Sequence, residues 1–165
     1  MGKNYFDLSG RVAVITGAGG GLGRVMAAGL AQYGARIVAA DLSADGAQET
    51  AGLVQKEGQE ALAIQCDVSS QNDVDQVVAR TVEKFGTIDI LINSAAATKY
   101  CSSLTIAVED WMHVIDVNLK GTFMCCQAAG RVMEKKKKGS IINMSSIYGI
   151  AGVERGISAY ATSKG

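Results

Sequence analysis

Short apolar runs alternate with amphipathic stretches along most of the chain. The runs are rich in Val, Ile and Ala and too short for core helices, which is typical of buried strands. Between them, apolar residues recur every three or four positions, which indicates helices with one buried face. The predicted strands are residues 11–16, 35–40, 60–66, 88–92 and 140–145. The predicted helices are a stretch ending at Gly34 and residues 43–56, 70–85 and 107–137, with a further helix starting near residue 159.

This alternation predicts an α/β fold, a doubly wound parallel sheet with helices on both faces, because right-handed crossovers leave few other solutions.

Three helices carry a predicted apolar face. On the first helix it includes Val25, Leu30 and neighbouring alanines. On the helix 70–85 it comprises Val74, Val77, Val78 and Val82. On the long helix the stripe expected in the core comprises Trp111, Ile115, Leu119 and Phe123.

A turn built almost wholly of glycine separates the first strand from the first helix. Glycines adopt positive φ and carry no Cβ, so a ligand can approach the backbone there. The first N–H groups of the helix are unpaired and its dipole end is positive, which suits a pyrophosphate. Glycines also serve plain strand-to-helix connections, so the turn alone leaves both interpretations open.

The spacing Thr16, Gly17, Gly21 and Gly23 matches the TGxxxGxG pattern of the classical short-chain dehydrogenase/reductase family, and other family signatures follow in order. The chain therefore resembles the N-terminal part of such an enzyme over residues 1–165. The resemblance implies a single NAD(P)-binding Rossmann domain with strand order 3-2-1-4-5, truncated before the C-terminal strands. It also implies that Leu22, beside these glycines, contacts the cofactor.

Asp41 ends the second predicted strand, about twenty residues beyond the glycine turn. An acid there accepts hydrogen bonds from the adenosine ribose and repels the extra phosphate of NADP. The alternative is a helix N-cap for the segment starting near Ser43. Relatives that prefer NADP commonly carry a basic residue where this chain has Gly20 and Leu42. Arg24 is the nearest cation and is expected on the helix surface, so we predict NAD as the cofactor.

Two further segments are assigned to the cofactor by the resemblance. Asp67 and Val68 follow the third strand and match the Asp-Val pair that meets the adenine, although Asp67 alone could be a loop residue or a cap. Asn93 and Ala95 follow the fourth strand in the sequence NSAA, where the family has NNAG. Ala96 replaces the glycine, so the backbone there must accept a Cβ beside the nicotinamide ribose.

In the second half of the chain, four residues match the family's catalytic positions. Tyr160 and Lys164 have the spacing YxxxK, which places both on one helix face. Ser146 follows the fifth strand, and Asn118 interrupts the long helical pattern, where a lone Asn usually faces solvent. The resemblance implies that Tyr160 is the acid/base and that Ser146 binds the substrate oxygen. It also implies that Lys164, with Tyr160, contacts the cofactor and that Asn118 holds a water of the proton relay.

Composition narrows the function classes. The 165 residues are 48% apolar, which suits a single hydrophobic core. The net charge is zero, so the composition does not indicate a basic surface that would bind nucleic acid or an anionic membrane. No signal peptide or membrane span is predicted. The four cysteines lack metal-ligand spacing, and the sole histidine, His113, is expected to be a surface or packing residue, so no metal is predicted. Cytoplasm is the predicted location.

These observations predict an NAD-dependent enzyme that transfers a hydride between NAD(H) and a secondary alcohol or ketone. A small sugar acid or polyol is favoured, because the opening FDLSGRVAVITGAGGGLG and the segment SSIYG look like gluconate and deoxygluconate dehydrogenases. The alternatives are a 3-oxoacyl thioester reductase, or a truncated nucleotide-binding fragment without activity. We expect the full-length protein to be a homodimer or homotetramer. Residues 1–165 alone are expected to fold poorly and to lack activity.

Overall fold

The computed structural model describes residues 5–152, 154 and 156–165. The strands are β1 Val12–Thr16, β2 Arg36–Asp41, β3 Ala61–Gln65, β4 Ile90–Asn93 and β5 Ser140–Asn143. The helices are α1 Gly21–Gln32, α2 Ala44–Lys56, α3 Gln71–Phe85, α4 Val108–Ile115, α5 Thr122–Lys135 and α6 Ser158–Lys164. The strands form one parallel sheet in the order β3-β2-β1-β4-β5. The predicted fold class and strand order are confirmed.

Two apolar clusters pack on the two faces of this sheet. Successive side chains of a strand point to opposite faces, so β1 contributes to both clusters. Val12 and Val14 join the cluster formed with α3 and α5, while Ala13 and Ile15 join the cluster formed with α1 and α2. All four residues are at most 2% exposed. This two-sided burial explains why β1 and β2 are almost continuously apolar in sequence and do not alternate with polar residues. The edge strand β5 is exposed along its whole length.

The buried face of α1 differs from the predicted one. Val25 is 68% exposed, and the buried residues of the helix are Gly23, Ala27 and Ala31. Leu30 packs at the margin of the cluster. The first turn of α1 lies directly against the glycine turn, where a Cβ at Gly23 would collide with the Gly17 carbonyl. The helix thus packs on the sheet through its small residues, and Val25 lies on its outer face.

Helix α3 begins where its sequence predicts. Ser70 caps it by accepting a hydrogen bond from the N–H of residue 73. Val74 and Val77 are buried in the cluster as expected. Val82, predicted on the same face, is 37% exposed, because the fully buried position in that turn is taken by Thr81.

The long predicted helix, residues 107–137, is divided by a π-helical segment, Asp116–Gly121. The wider π turns change the direction of the side chains that follow them relative to those of α4. The predicted core stripe is therefore wrong: Leu119 is 55% exposed and Phe123 is 62% exposed. Helix α5 packs on the sheet through a different face, formed by Met124, Cys125, Ala128, Ala129 and Met133.

The segment after β5 carries the transition to α6. The strand ends at Asn143, two residues earlier than predicted, and a single 3-10 turn follows at Ile147–Gly149. The loop predicted over residues 148–157 includes positions 153 and 155, which lie outside the described residues. Helix α6 then runs from Ser158 to Lys164, so the two residues of the YxxxK spacing are both helical, as predicted.

Candidate active site

The glycine turn lies at the carboxyl end of β1 and leads into α1. Gly17 has φ +66°, and a Cβ there would lie 2.7 Å from the backbone of Ala95. Gly23 faces the carbonyl of Gly17 too closely for any side chain, whereas Gly21 has φ +48° and open space around it. Leu22 is 66% exposed beside this opening. The turn therefore presents bare backbone at a helix N-terminus, a cradle that fits a diphosphate.

Asp41 faces the glycine turn from the end of β2. Its Oδ2 accepts a hydrogen bond from the N–H of Gly19 at 2.7 Å, and its Oδ1 accepts one from the N–H of Ser43 at 2.8 Å. A Cβ at Gly19 would lie 2.6 Å from the carboxyl carbon of Asp41, so this contact requires glycine. Helix α2 is capped by Ser43, whose hydroxyl accepts from the N–H of Gly46 at 3.1 Å. Asp41 is therefore not the cap of α2.

A cleft of about 200 Å³ opens at the carboxyl ends of the central strands. Two residues that the sequence did not assign to the site, His113 of α4 and Val117 of the π-helical segment, line one wall. His113 is exposed, as predicted, but it lies at this cleft. The cleft also brings together five of the residues predicted to bind the cofactor: Gly17, Asp41, Asp67, Val68 and Ala95.

The loop that carries Asp67 and Val68 is held by local hydrogen bonds. The Asp67 carboxylate accepts from the N–H of Ser69 at 2.8 Å and from its hydroxyl at 2.7 Å. The N–H of Asp67 donates to Asp73 at 3.0 Å, and this bond, with one from Ser70, lowers the pKa of Asp73. Val68 is 7% exposed and packs at the base of the cleft. The loop therefore presents a fixed backbone to a ligand.

Thr16 and Asn93 hold the loop that follows β4. Thr16 is 3% exposed, and its hydroxyl accepts from the N–H groups of Ser94 at 3.2 Å and Ala95 at 3.3 Å. Asn93 is 4% exposed, and its amide donates to the Asn143 side chain at 2.8 Å. Both side chains are buried among protein groups, so they position the cleft wall.

The replacement of the family's glycine by Ala96 is accommodated by the backbone. Among the described non-glycine residues, positive φ occurs at Lys137 alone. Ala96 therefore takes a conformation open to any L-residue. It also lines the cleft, so its methyl group adds apolar surface there.

Tyr160 and Lys164 lie one turn apart on α6. The Lys164 ammonium is 5.8 Å from the centre of the Tyr160 ring and donates to the carbonyl of Met144 at 2.6 Å. Burial lowers the pKa of Lys164. The Ser145 hydroxyl donates to the carbonyl of Lys164 at 3.0 Å, which joins α6 to the segment leaving β5. The Lys164 ammonium therefore lies over the Tyr160 ring and is bonded to the segment that follows β5.

Asn118 is buried, with 4% of its surface exposed. Its Oδ1 accepts from the N–H of Ala97 at 2.7 Å, and its Nδ2 donates to the carbonyl of Ala97 at 3.0 Å and to Ser163 Oγ at 2.8 Å. The Thr122 hydroxyl donates to the Asn118 carbonyl at 2.7 Å within the π-helical region. Asn118 therefore does not face solvent, as a lone Asn in a helix usually does, but connects the cleft loop to α6.

Ser146 lies at the same corner, two residues after Met144. Its hydroxyl oxygen accepts from the N–H of Tyr148 at 3.2 Å and caps the 3-10 turn. That bond uses a lone pair, so the hydroxyl can still donate its proton to a substrate oxygen. The four predicted catalytic residues therefore come from the π-helical segment, the segment that follows β5, and α6.

The described residues offer neither a metal site nor a membrane span. Within residues 5–152, 154 and 156–165, no group of three or more His, Cys, Asp and Glu side chains is arranged to hold a metal ion. No helix in those ranges is both long enough and apolar enough to cross a bilayer.

Known proteins share this arrangement. The family model described as short chain dehydrogenase matches residues 11–165. A 3-oxoacyl-[acyl-carrier-protein] reductase of Synechocystis sp. is 38% identical over 88% of this chain and 59% of its own length. A D-threitol dehydrogenase of Mycolicibacterium smegmatis is 36% identical over 96% of this chain and 61% of its own length.

Solved structures agree with the sequence comparisons. The structure of an NAD+-bound xylitol dehydrogenase superimposes with a TM-score of 0.92 at 32% identity, covering 98% of this chain and 61% of that one. The chain thus spans about 60% of the length of these relatives. A family match over residues 11–165, together with the glycine turn and the YxxxK helix, shows that this chain belongs to the short chain dehydrogenase family.

Proposed function

We propose that the protein is an NAD(H)-dependent dehydrogenase that oxidises a secondary alcohol or reduces the corresponding ketone. The observation that carries the cofactor choice is the Asp41 carboxylate, which lies at the end of β2 against the glycine turn. A ribose hydroxyl can donate to this carboxylate, whereas the 2′-phosphate of NADP would bring like charges together. The nearest cation, Arg24, already pairs with Glu49 at 2.8 Å.

The cradle and the cleft fit two neighbouring parts of a dinucleotide, the diphosphate and the adenosine. The bare backbone at Gly17 and Gly23 suits the diphosphate, and the wall near Asp67 suits the adenosine. The nicotinamide, when bound, supplies the hydride acceptor or donor. This chain's own residues would then handle the proton and the charge on the substrate oxygen.

Each catalytic residue has a separate task in this proposal. During oxidation the proton of the substrate hydroxyl passes to the Tyr160 oxygen, and during reduction it returns by the same route. The Lys164 ammonium favours the ionised phenol by opposite charge. Ser146 donates a hydrogen bond to the substrate oxygen and holds it while charge changes there. Asn118 fixes the cleft loop and α6 and, as in the resembled family, would hold the water of the relay.

A small polyol or sugar acid is the proposed substrate class. Support comes from the two polyol enzymes among the relatives, one named D-threitol dehydrogenase and one named xylitol dehydrogenase. A second candidate, reduction of a 3-oxoacyl thioester, is favoured by the relative named 3-oxoacyl-[acyl-carrier-protein] reductase, which is 38% identical. The two candidates differ in the direction of reaction that would be observed and in the size of the substrate.

Cofactor titration tests the first half of the proposal. NADH and NADPH are titrated separately and followed by the fluorescence of the reduced nicotinamide. We expect NADH to bind at least about tenfold more tightly, which corresponds to about 1.4 kcal/mol. Asp41→Ala is expected to narrow that gap, and Asp41→Asn to narrow it while keeping the side-chain shape. Equal or tighter binding of NADPH by the unmodified protein would contradict the cofactor assignment.

A substrate panel tests the second half. Threitol, xylitol and gluconate are assayed by NADH formation, and a 3-oxoacyl thioester by NADH or NADPH consumption. Tyr160→Phe serves as the control, because it keeps the ring and removes the proton-transferring oxygen. Turnover of a polyol or sugar acid that this substitution abolishes is the expected result. Turnover of the thioester alone would favour the second candidate.

The proposal includes a homo-oligomer. Large apolar side chains of α4, the π-helical segment and α5 are exposed, namely Val108 at 70%, Met112 at 45%, Leu119 at 55% and Phe123 at 62%. A second copy of the chain could cover this face. Light scattering after size exclusion measures the mass directly. Phe123→Glu is expected to shift the mass toward the monomer, and an unmodified protein that is monomeric at micromolar concentration would contradict this part.

A further inference from the structure

Two consecutive carbonyl groups of the glycine turn are held by side chains outside the turn. The Ala18 carbonyl accepts from the hydroxyl of Thr50 at 2.7 Å. The Arg24 guanidinium donates from Nη2 to the Gly19 carbonyl and from Nε to the Thr50 hydroxyl at 3.1 Å. Glu49 lies 2.8 Å from the same Nη2. We call Thr50 and Arg24, with these bonds, the turn clamp.

The turn clamp reaches Asp41 through one peptide group. The carbonyl of the peptide between Ala18 and Gly19 accepts from Thr50, and the N–H of the same peptide donates to Asp41 at 2.7 Å. A peptide group is planar, so fixing the direction of its carbonyl also fixes the direction of its N–H. The hydrogen bonds therefore run in series from the Arg24 cation to the Asp41 carboxylate, an arrangement in which each bond polarises the next.

Arg24 was expected on the helix surface, and its contacts show a different role. The guanidinium is bonded to the turn, to Thr50 and to Glu49. Thr50 is fully buried, with 0% of its surface exposed. Helix α2 approaches the turn so closely that a Cβ at Gly46 would lie 2.8 Å from the Gly19 carbonyl. The turn is thus held between α1 and α2 by direct contacts, and its carbonyl groups point to the clamp.

We propose that Thr50 and Arg24 are positioning residues that orient the Asp41 carboxylate and thereby set the preference of this site for NAD(H) over NADP(H). The inference rests on the proposed function and deepens it, because it names the residues that orient Asp41, the group to which that function assigns the discrimination. Without the clamp the Gly19 N–H is less firmly directed at Asp41, and the Ser43 N–H becomes the firmer of the two bonds that hold the carboxylate. The carboxylate then loses part of its alignment with the ribose hydroxyls but keeps its charge. Loss of the clamp should therefore weaken NADH binding more than NADPH binding.

The test compares the binding of NADH and NADPH in variants of the clamp. Thr50→Val keeps the shape of the side chain and removes the hydroxyl. We expect the Kd for NADH to rise about fivefold, the effect of one net hydrogen bond, while the Kd for NADPH changes by less than about twofold. Arg24→Gln is expected to act in the same direction. Thr50→Ser retains the hydroxyl, so its preference for NADH is expected to equal that of the unmodified protein.

Thr81→Val is the matched control. Thr81 is also fully buried, and its hydroxyl donates to the Val77 carbonyl at 2.6 Å, but it lies in α3 away from the turn. Its replacement should lower the melting temperature about as much as Thr50→Val does, without changing either Kd. A purely structural role of Thr50 would lower the melting temperature and weaken both cofactors in equal proportion. That result would overturn the inference.

The outcomes separate the inference from the proposed function. An unmodified protein that prefers NADPH, or binds neither cofactor, overturns both. An unmodified protein that prefers NADH, with the NADH-to-NADPH ratio unchanged in Thr50→Val and Arg24→Gln, overturns the inference alone. If Thr50→Val does not fold, the ratio of NADH to NADPH binding is measured in Arg24→Gln and Arg24→Lys. An unchanged ratio in both variants likewise overturns the inference alone.

Discussion

The side-chain amide of Asn118 donates a hydrogen bond to the hydroxyl of Ser163, 2.8 Å away. Ser163 in turn donates to the carbonyl of Tyr160 at 2.7 Å, within the helix that carries the phenol. Asn118 also bonds both backbone groups of Ala97 in the cleft loop. One buried side chain thus fixes the relative positions of the cleft loop, the π-helical segment and α6.

Replacing Ser163 with Ala tests whether this connection matters for catalysis. The substitution removes the bond to α6 but leaves Asn118 bonded to Ala97, so no buried group of Asn118 loses all its partners. We expect kcat to fall about tenfold, because small displacements of reacting groups cost catalysis strongly. The Kd for NADH should change less than kcat does. Steady-state assays with the best substrate of the panel, together with fluorescence titration, measure both quantities.

Asn118→Ala provides the stronger variant in the same series. It removes the bonds to Ala97 as well as the bond to Ser163, and leaves the partly buried N–H and carbonyl of Ala97 without these partners. We expect it to lose more activity than Ser163→Ala and also to lower the melting temperature. Unchanged kcat in Ser163→Ala would show that α6 is positioned by its other contacts.

Two glycines of α1 give opposite predictions for the same substitution. A Cβ at Gly23 would collide with the Gly17 carbonyl, whereas Gly29 has no atom within 4 Å of a Cβ. Gly23→Ala is expected to abolish NADH binding and to lower the free energy of unfolding by about 2 kcal/mol or more. Gly29→Ala should raise it by about 0.5–1 kcal/mol, since alanine favours a helix, and leave binding unchanged. Urea unfolding measures the free energy of unfolding of both variants. Similar effects of the two substitutions would contradict the close contact between Gly23 and the Gly17 carbonyl.

Much of the fold follows from local sequence patterns. The strands are short apolar runs, and the caps Ser43 and Ser70 lie at the starts of the predicted helices. The glycine turn and Asp41 are recognisable because the required spacing lies within a single strand-helix-strand unit. The order of the strands came from the family resemblance, since periodicity does not determine which strands are neighbours.

The features that sequence analysis missed depend on contacts between distant residues. Arg24 and Thr50 are 26 positions apart, and Thr50 reaches a carbonyl 32 positions away, so no local period reveals the clamp. The predicted core stripe fails at Phe123 because a π-helical segment changes the phase of the helix. Asn118 of that segment bonds to Ala97, 21 positions away, a contact that no local period reveals. Val25 faces outward on a helix whose buried residues are the small Gly23, Ala27 and Ala31.

The four cysteines should separate into two classes of reactivity. Burial raises the pKa of the Cys66 thiol to about 12, with a further contribution from the charges of nearby aspartates. Burial raises that of Cys125 to about 12 as well. Cys101 and Cys126 are partly exposed. Because the thiolate is the reactive form, we expect two thiols to react with Ellman's reagent at pH 8 and two more only after unfolding.

A double variant checks the assignment of the reactive thiols. Cys101→Ser combined with Cys126→Ser is expected to abolish the reaction of the native protein while the unfolded variant still titrates two thiols. Simultaneous reaction of all four thiols in the native protein would contradict the burial of Cys66 and Cys125.

Asp89 lies under the amino ends of the strands and is only 11% exposed. Its carboxylate accepts from Lys136 at 2.7 Å, from the N–H of Val12 at 3.0 Å and from Arg11 at 3.4 Å. Burial acts to raise the pKa of Asp89, but the bonds from Lys136 and Val12 and the two positive charges outweigh it. The net result is a pKa held below the usual value for aspartate.

This lowered pKa predicts a specific loss of stability in acid. A carboxyl group whose pKa is lower in the folded state contributes stability that is fully present above its unfolded-state pKa of about 4 and is lost as pH falls through the folded-state value. We therefore expect the melting temperature to fall more steeply below about pH 4 in the unmodified protein than in Asp89→Asn. At pH 7 the variant should be less stable by about 1–3 kcal/mol, because Lys136 and Val12 lose a charged partner. Asp75→Asn, at an exposed position of α3, should follow the unmodified protein throughout, and parallel acid curves for Asp89→Asn and the unmodified protein would show that Asp89 does not carry this dependence.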